Sequence, residues 1–501
     1  MDQQGADTGR ATAGGEEATA AGNTIIYPTL PEDLARGFGW RSIKYFGAGA
    51  IVASVTIGSG ETLFAARGGA IFGYTLLWCF VGGAFLKGVQ VYAAARHMTL
   101  TGEHPMTHWA AFPGPRAWVP VALGAMSIAC FPFWHAGLPL ALGTAMNWIL
   151  GIRGSQEELL FYARSFGTIN IVLIVVLTWL QSYGFLERAQ SLIVGVLLVS
   201  MLAAVFAARP DWTAVLAGMA VPRIPKSYEP WVVQTYESVA ARPPWVEIVT
   251  YLGAVGGGTY DYIGYIGCYR EKAWGALAIR ADRYRIKVSG RTQMQRFALD
   301  SPNLSRAKAW LLPAKVDVGM SFMAVAVFAA SFAILGALVL HPAQTVPEGH
   351  DLLSHQAQFL TRISPTLLVV YQIGIFFAFW GTIYGAYEIY IRTAFECLAP
   401  TSRRVRTMSY RRFRLTILLY SALGGLALLW TMDDPIEIVT PAALLGGVFA
   451  CGMWCYLMIW ADRRFLPHPL RMPPFLLALV ALAGTILILL GTKAIWDWLM
   501  F

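Results

Sequence analysis

The chain has 501 residues, of which 56% are apolar and 13% are charged, and its formal net charge is +9. Soluble domains carry roughly 25% charged residues, so this composition excludes a soluble enzyme and a nucleic-acid-binding protein. The length allows about ten to twelve helices of about 20 apolar residues each, which predicts an all-α polytopic membrane protein. The cysteines form no CxxC pair and predict buried thiols rather than a disulfide or zinc framework.

Residues 1–40 are rich in Ala, Gly, Thr and Glu, and they contain no apolar core that follows a basic segment. This pattern does not indicate a cleavable signal peptide, and the composition favours disorder. We therefore expect residues 1–40 to form a disordered cytoplasmic tail.

Eleven apolar runs follow the tail and are separated by charged residues or by breaks that contain Pro or Gly. Runs of this length are typical of membrane-spanning helices. The predicted spans are 42–68, 71–96, 118–150, 161–181, 186–207, 245–268, 311–340, 365–396, 413–431, 437–461 and 472–498.

Lysine and arginine are distributed unevenly between alternate loops. One set of loops holds 26 of these residues and the other set holds 8. Because cytoplasmic loops carry the excess of Lys and Arg, we expect the N-terminus inside and the C-terminus outside, in a membrane of the bacterial inner (plasma) type. The basic clusters at 270–308 and 403–414 are interpreted as loops beside an anionic lipid surface, with no nucleic-acid partner.

The first span is interrupted in the middle of its apolar run by Gly58, Ser59, Gly60 and Glu61. Glycine weakens a helix, and a carboxylate inside a membrane must be paired, protonated or hydrated. This segment therefore predicts an unwound stretch at about 57–61.

The sixth span contains a second polar interruption and is expected to be unwound at about 256–261. Polar breaks in the first helices of two five-helix units are typical of an inverted-repeat transporter with a central site. The residues of this interruption are Gly256, Gly257, Gly258, Thr259, Tyr260 and Asp261.

An odd number of spans in one unit inverts the next unit in the membrane. We therefore expect a 5+5 inverted repeat, with the first repeat over 41–210, the second over 245–465 and an added helix over 470–501. Two half-helices would then direct free backbone N–H groups to the midplane, where they would bind an anion. The carbonyl ends of the other two half-helices would face a cation.

Several motifs carry a resemblance to a known family. The segment Thr56 to Glu61, followed by 68–78, resembles the first helix and the next segment of the NRAMP metal-ion transporters. The segment 252–254 is similar to the approach to their sixth-helix break, and 373–387 is similar to their eighth helix. The resemblance covers most of the chain from about residue 40. It implies a LeuT-type fold and secondary transport, usually coupled to protons.

The metal-binding motifs of that family are replaced in this chain. The Asp-Pro-Gly-Asn motif falls on Gly58 to Glu61, and the Met-Pro-His motif falls near Gly257, Gly258 and Thr259. The remaining oxygen ligands suit at most a hard cation, so no transition-metal site is expected. The Ile-Gly-Ser-Gly run is similar to the motif with which amino acid, polyamine and organocation transporters of the same fold hold a substrate carboxylate.

Three titratable residues are candidates for the transport chemistry. Glu61 is expected to bind and release a proton, and a structural pairing with Arg67 is the alternative. Asp261 either coordinates a cation or caps the half-helix that follows it. His135 is either a proton carrier or a packed histidine.

The sequence therefore predicts a secondary transporter, NRAMP-like and proton-coupled, that moves a small polar solute. A carboxylate-bearing organic molecule is the first expectation for this solute, and a hard divalent cation or a metal–organic acid complex is the alternative. No cofactor is expected, and no ATP-binding loop or hydrolytic triad indicates an enzyme. The expected proton-coupling residues are Glu61 and His135, and the expected substrate-binding residues are Gly58, Ser59, Gly60, Glu61, Gly256, Gly257, Gly258, Thr259, Tyr260 and Asp261.

Overall fold

Long helices dominate the computed structural model, which describes residues 24–47, 55, 57–180, 183–279, 296–348, 351 and 353–500. A helix satisfies every backbone hydrogen bond within its own segment, which is why long apolar runs fold this way in a membrane. The long helices of the described residues are α1 (Ile57–Ala65, π-helical, continued by Ala66–Phe72), α2 (Leu77–Thr101), α3 (Trp118–Ile149), α4 (Gln156–Leu180), α5 (Tyr183–Ala208), α6a (Pro244–Ala254), α6b (Thr259–Lys272), α7 (Leu311–Leu335, continued by the π-helical Gly336–Leu340), α8 (Leu367–Leu398), α9 (Tyr410–Thr431), α10 (Pro435–Ala442, Ala443–Phe449 and Ala450–Phe465) and α11 (Pro474–Met500).

Short elements connect these helices or precede them. The two strands, β1 (Thr24–Ile25) and β2 (Arg296–Phe297), pair in parallel. The short helices are Glu32–Ala35, Trp40–Tyr45, Gly73–Leu76, Pro105–Trp109, Trp212–Ala220, Pro230–Thr235, Glu237–Ala240, Gly275–Leu277, Ser301–Ala309, His355–Ala357, Gln358–Thr361, Arg403–Thr407 and His468–Leu470.

Eight helical segments of the described residues are long and apolar enough to cross a membrane. The sequence predicts eleven spans, and three of these are not found as separate segments among the eight. The helical segment 60–101 counts once although it contains both α1 and α2. The break in α6 leaves pieces of 11 and 14 residues, and the described apolar part of α5 is only Leu198–Ala208. The all-α polytopic membrane fold is confirmed.

The helices of the two halves pack on each other around α1 and α6. α2 packs along α7, and α3 packs along α8, as counterparts of two five-helix units. α1 lies against α7 and α8, α6a lies against α2 and α10, and α6b lies against α8. The breaks predicted in the first helix of each unit therefore lie in the centre of the bundle rather than at its lipid-facing surface.

Residues 24–40 are folded, so the expected disordered tail over 1–40 is wrong for this part, and residues 1–23 lie outside the described residues. The Tyr27 hydroxyl donates to the Leu100 carbonyl at 2.7 Å, and the Tyr27 N–H donates to Asn303 Oδ1 at 2.7 Å. Ile25 and Tyr27 are buried. These side chains are buried against the segment that precedes α7. The average composition of residues 1–40 does not indicate this contact.

Asn303 is the side chain that attaches this segment most directly. Its Nδ2 also donates to the carbonyls of Ile25, at 3.2 Å, and Ala298, at 2.8 Å. Each such hydrogen bond contributes about 1 kcal/mol, so Asn303→Ala is expected to release residues 24–47 and to speed tryptic cleavage at Arg36 and Arg41. Ser305→Ala, at an exposed position of the same short helix, is the control. Equal cleavage rates for the two variants would contradict this assignment.

Candidate functional site

The break in α6 falls on its glycines. α6a ends at Ala254, and α6b begins at Thr259. Gly256 and Gly257 have φ of +72° and +82°, a backbone conformation that glycine adopts readily and other residues rarely adopt. The predicted interruption of the sixth span is confirmed over residues 255–258, whereas Thr259, Tyr260 and Asp261 form the first turn of α6b.

The backbone of α1 is helical where the sequence predicts an unwound stretch. Residues Ile57–Ala65 form a π-helix that continues into the α-helix Ala66–Phe72. The predicted unwinding at 57–61 is therefore wrong, because the glycine-rich stretch takes the wider π-helical turn instead. Residues 48–54 and 56, together with the side chain of Ser59, lie outside the described residues.

Gly58 and Gly60 bring α1 into backbone contact with its neighbours. A Cβ atom at Gly60 would lie 2.2 Å from the Ala254 carbonyl oxygen of α6a, and one at Gly58 would lie 2.6 Å from the Ala378 carbonyl oxygen of α8. The predicted facing of the first and sixth helices is confirmed by this contact. The two glycines serve close packing here, and they position the residue that follows them.

Glu61 joins α1 to the break in α6. Its side chain is fully buried, and its Oε1 accepts a hydrogen bond from the Gly256 N–H at 3.0 Å. Its Oε2 has no hydrogen-bond partner among the described residues. The alternative pairing with Arg67 is not formed, since Arg67 Nε lies 2.9 Å from Glu247 Oε1. Glu61 is thus held by one oxygen and leaves the other available.

Asp261 caps α6b and is buried beside the same break. Its Oδ2 accepts from the Gly258 N–H at 2.9 Å, which confirms the predicted cap. Its Oδ1 has no hydrogen-bond partner in the part of the chain that the structure describes. The chain's own carboxylates therefore occupy the amides of Gly256 and Gly258, the groups predicted to hold a substrate anion.

A small cavity lies beside Asp261 between α3, α6 and α8. Its volume is about 10 Å³, which is room for about one water molecule. This conformation thus contains a space of the size of a small ion and not of an organic molecule. The lining residues are Val55, Trp134, Leu138, Ala254, Gly257, Tyr260, Asp261, Ala386 and Tyr390.

Lys87 of α2 is a residue of the site that the sequence analysis missed. It is fully buried, and its Nζ donates to the carbonyls of Gly253 at 2.8 Å, Val255 at 2.7 Å and Gly257 at 2.7 Å. The signal that could have found it is a single lysine inside an apolar span, because a charge at that depth is expensive and is retained for a function.

The remaining predicted residues are placed around this centre. His135 of α3 is fully buried and stacks on Tyr387 of α8, with ring centroids 3.6 Å apart. Neither of its ring nitrogens has a hydrogen-bond partner among the described residues, so it is a packed histidine in this conformation. Thr259 Oγ1 donates to the Gly446 carbonyl at 3.2 Å, and Tyr260 lines the cavity.

Buried polar clusters lie on both sides of the break along α6. In the Arg67 cluster, Arg67 Nε lies 2.9 Å from Glu247 Oε1, and the Tyr251 hydroxyl donates to the same oxygen at 2.8 Å. In the Asp317 cluster, Asp317 accepts from Tyr265 at 2.7 Å and from Tyr269 at 3.1 Å. Glu247 belongs to the start of α6a and Tyr269 to the end of α6b, so the two clusters lie on opposite sides of the break along α6.

Residues 49–257 match the sequence model of the family described as natural resistance-associated macrophage protein-like, or Nramp. The chain is Nramp-related. This relation makes it a membrane transporter and not an enzyme. No curated protein matches the chain by sequence.

Solved structures share the fold of the Nramp-related chain. Two mutants of the manganese transporter of Eremococcus coleocola are each 14% identical to it, with TM-scores of 0.62 and 0.63. They cover 94% of this chain, and this chain covers 88% and 89% of theirs. The same transporter in complex with an aromatic bis-isothiourea substituted compound is 14% identical, with a TM-score of 0.57. This likeness confirms the LeuT-type architecture.

The polar side chains at the site of the Nramp-related chain offer mostly oxygen ligands, with the buried thiols of Cys130 and Cys451 nearby. No group of three or more His, Cys, Asp or Glu side chains within the described residues could hold a metal ion. The side chains that adjoin the break are the carboxylates of Glu61 and Asp261, the hydroxyls of Tyr260 and Tyr262, and the Lys87 ammonium.

Proposed function

We propose that this Nramp-related chain is a proton-coupled secondary transporter of a small hard cation. The observation that supports the cargo is that Asp261 Oδ1, which has no hydrogen-bond partner among the described residues, lies beside a cavity of about 10 Å³. Hard cations prefer carboxylate, carbonyl and water oxygens, and they fit a space in which an organic acid does not. The manganese transporter with the same fold is named for a metal cargo, which agrees with a cation here.

The charges around the break favour the same class of cargo. Glu61 and Asp261 are both buried, and Lys87 is the cation that interacts electrostatically with both of them. Two carboxylates against one ammonium leave one negative charge in the membrane interior, where an unbalanced charge is costly. A bound cation or a bound proton balances it.

Glu61 is the proposed proton carrier. Its Oε1 is fixed by the Gly256 amide and its Oε2 has no partner within the described ranges, so the carboxyl can take up a proton without losing its place between α1 and α6. Protonation removes one negative charge beside Asp261. The affinity for a cation therefore falls when Glu61 is protonated, which couples the two ions.

A carboxylate-bearing solute, alone or as a metal complex, is the second candidate. The observation that favours it is that the amides of Gly256 and Gly258 bind carboxylates, since those of Glu61 and Asp261 occupy them. A substrate carboxylate would have to displace one of these side chains, for example after its protonation. It would also require a wider cavity than this one.

We propose the orientation and the division of the chain from the sequence. The excess of 26 over 8 basic residues in alternate loops supports a cytoplasmic N-terminus in a bacterial inner membrane. The two repeats are proposed to cover 41–210 and 245–465, with an added helix over 470–501.

Asp261→Asn is expected to weaken cation binding by at least about tenfold, because one charged ligand oxygen is lost while the size of the side chain is kept. The measurement is calorimetric titration of the purified protein with Mg²⁺, Ca²⁺ and Mn²⁺ and with a panel of small organic acids. Asp497→Asn, which removes a carboxylate from the exposed end of α11, is the matched control and should bind as the wild type does.

Glu61→Gln tests the role of the proton separately from the binding of the cargo. This variant should still bind the cargo but lose the stimulation of uptake by an imposed pH gradient in proteoliposomes. Wild-type binding of an organic acid without any response to a metal ion would overturn the cation proposal and favour the second candidate. Unchanged pH stimulation in Glu61→Gln would overturn the proton assignment alone.

A further inference from the structure

The carbonyl groups at the break in α6 form a site for a positive charge. α6a ends at Ala254, so the carbonyls of its last turn have no partner in the helix. Three carbonyls of alternate residues, Gly253, Val255 and Gly257, point to one position, where Lys87 Nζ lies 2.7 to 2.8 Å from each oxygen. The C-terminal end of a helix also carries a partial negative charge, which favours a cation there.

We propose that this is a monovalent-cation site and that the Lys87 ammonium is its resident cation, carried by the chain itself. The position has the features of an ion site: convergent carbonyl oxygens, complete burial and two carboxylates in its electrostatic surroundings. An ammonium has three N–H donors and no acceptor, so the three carbonyls satisfy it completely. The inference does not depend on which solute the transporter moves.

The geometry explains why a lysine can occupy this depth of the membrane. The stem of the side chain lies between apolar helices, while the charge reaches the break from α2. The titratable side chains that interact electrostatically with Lys87 are Cys451, Glu61, Asp261 and Cys79. The two carboxylates among them compensate the ammonium charge, and a free Na⁺ or K⁺ is therefore not needed at this position.

Two consequences follow for the function. The wild-type transporter should not require Na⁺ or K⁺ for stability, because its carbonyl site is always filled. Removal of the lysine side chain should create a vacant site that binds a small monovalent cation from solution.

Lys87→Ala tests the site directly, since the variant leaves a cavity with the shape of the lost side chain. We expect its Tm to fall by at least about 5 °C and to recover, saturably, with n-propylammonium, which matches the missing atoms and charge. Na⁺ should give a smaller saturable recovery. Neutral n-propanol, of the same shape, should not restore the Tm.

Three further proteins make the test decisive. Lys87→Met fills the space without a charge and should be destabilised without recovery in any of these solutes. Lys493→Ala, at an exposed position of α11, controls for non-specific effects of the amine. The wild type should have the same Tm in NaCl, KCl and choline chloride. The proposal is overturned if Na⁺ raises the wild-type Tm as much as it raises that of Lys87→Ala, if Lys87→Met is as stable as the wild type, or if n-propanol restores Lys87→Ala as well as the amine does. The comparison of Lys87→Met with the wild type decides even where Lys87→Ala does not fold. The comparison of n-propylammonium with n-propanol concerns only the space left by the Lys87 side chain, so a failed cargo assignment would not affect it.

Discussion

Replacing Gly60 by alanine is expected to abolish transport and to lower the Tm. The added Cβ atom would lie 2.2 Å from the Ala254 carbonyl oxygen and 2.6 Å from its carbon, a backbone group that cannot rotate away. α1 must then separate from α6a, which also removes the Glu61 carboxylate from the Gly256 amide. Overpacking of a closed core costs about 1–3 kcal/mol, and here the strained contact is at the site itself.

Gly82→Ala and Gly319→Ala are the matched controls for Gly60→Ala. Both glycines lie inside long helices, and a Cβ atom at either would meet no atom within 4 Å. Alanine is the better helix former by about 0.5–1 kcal/mol, so these variants should be as stable as the wild type or slightly more stable. If Gly60→Ala transports at the wild-type rate, the closed contact between α1 and α6a has no part in the transport cycle.

Removing one charged member of the Arg67 cluster is expected to lower the thermal stability about as strongly as Gly60→Ala does. Arg67 and Glu247 are both buried, and Arg67 Nη1 also donates to the Pro347 carbonyl at 3.0 Å. Glu247→Gln removes the nearer charged partner and leaves the guanidinium only Glu348, 3.8 Å away, and breaking a buried ion pair in this way costs up to about 3–5 kcal/mol. We expect a clear loss of thermal stability and a population that is open on the side of the Arg67 cluster.

The double variant Arg67→Met, Glu247→Gln is the internal control for this prediction. It removes both charges together, and it should recover a large part of the stability lost in Glu247→Gln. The opening is measured in a cysteine-free background by the labelling rate of a cysteine placed at Ser354. This position follows Pro347, which binds Arg67, by seven residues. A double variant that is less stable than both single variants would show that the pair stabilises through packing and not through charge.

The sequence alone predicted the parts of this protein that depend on apolar length and on backbone chemistry. The spans follow from runs of apolar residues, and the break in α6 follows from Gly256 and Gly257 because few other residues adopt their backbone conformation. Glu61 and Asp261 were recognised because carboxylates inside spans are costly. Their direct role in binding stays a prediction.

The parts that could not be predicted depend on contacts between distant segments. Lys87 lies 166 residues or more before the carbonyls that it binds, and no local pattern connects the two segments. The π-helical form of α1 depends on how closely Gly58 and Gly60 approach α8 and α6a, which is a property of the packed bundle. The folded segment 24–40 depends in the same way on Asn303, which lies after α6b.

The protein's own groups satisfy every backbone N–H and C=O of the break in α6. Lys87 and the Tyr262 hydroxyl bind its carbonyls, and Glu61, Asp261 and the Ala254 carbonyl bind its amides. An unloaded carrier with this arrangement exposes no unpaired backbone group when it changes the side to which it is open. The return step therefore needs no second cargo ion, since a proton on Glu61 can balance the remaining charge, and this transporter should accumulate its cargo by net flux and not by obligatory exchange of one cargo ion for another.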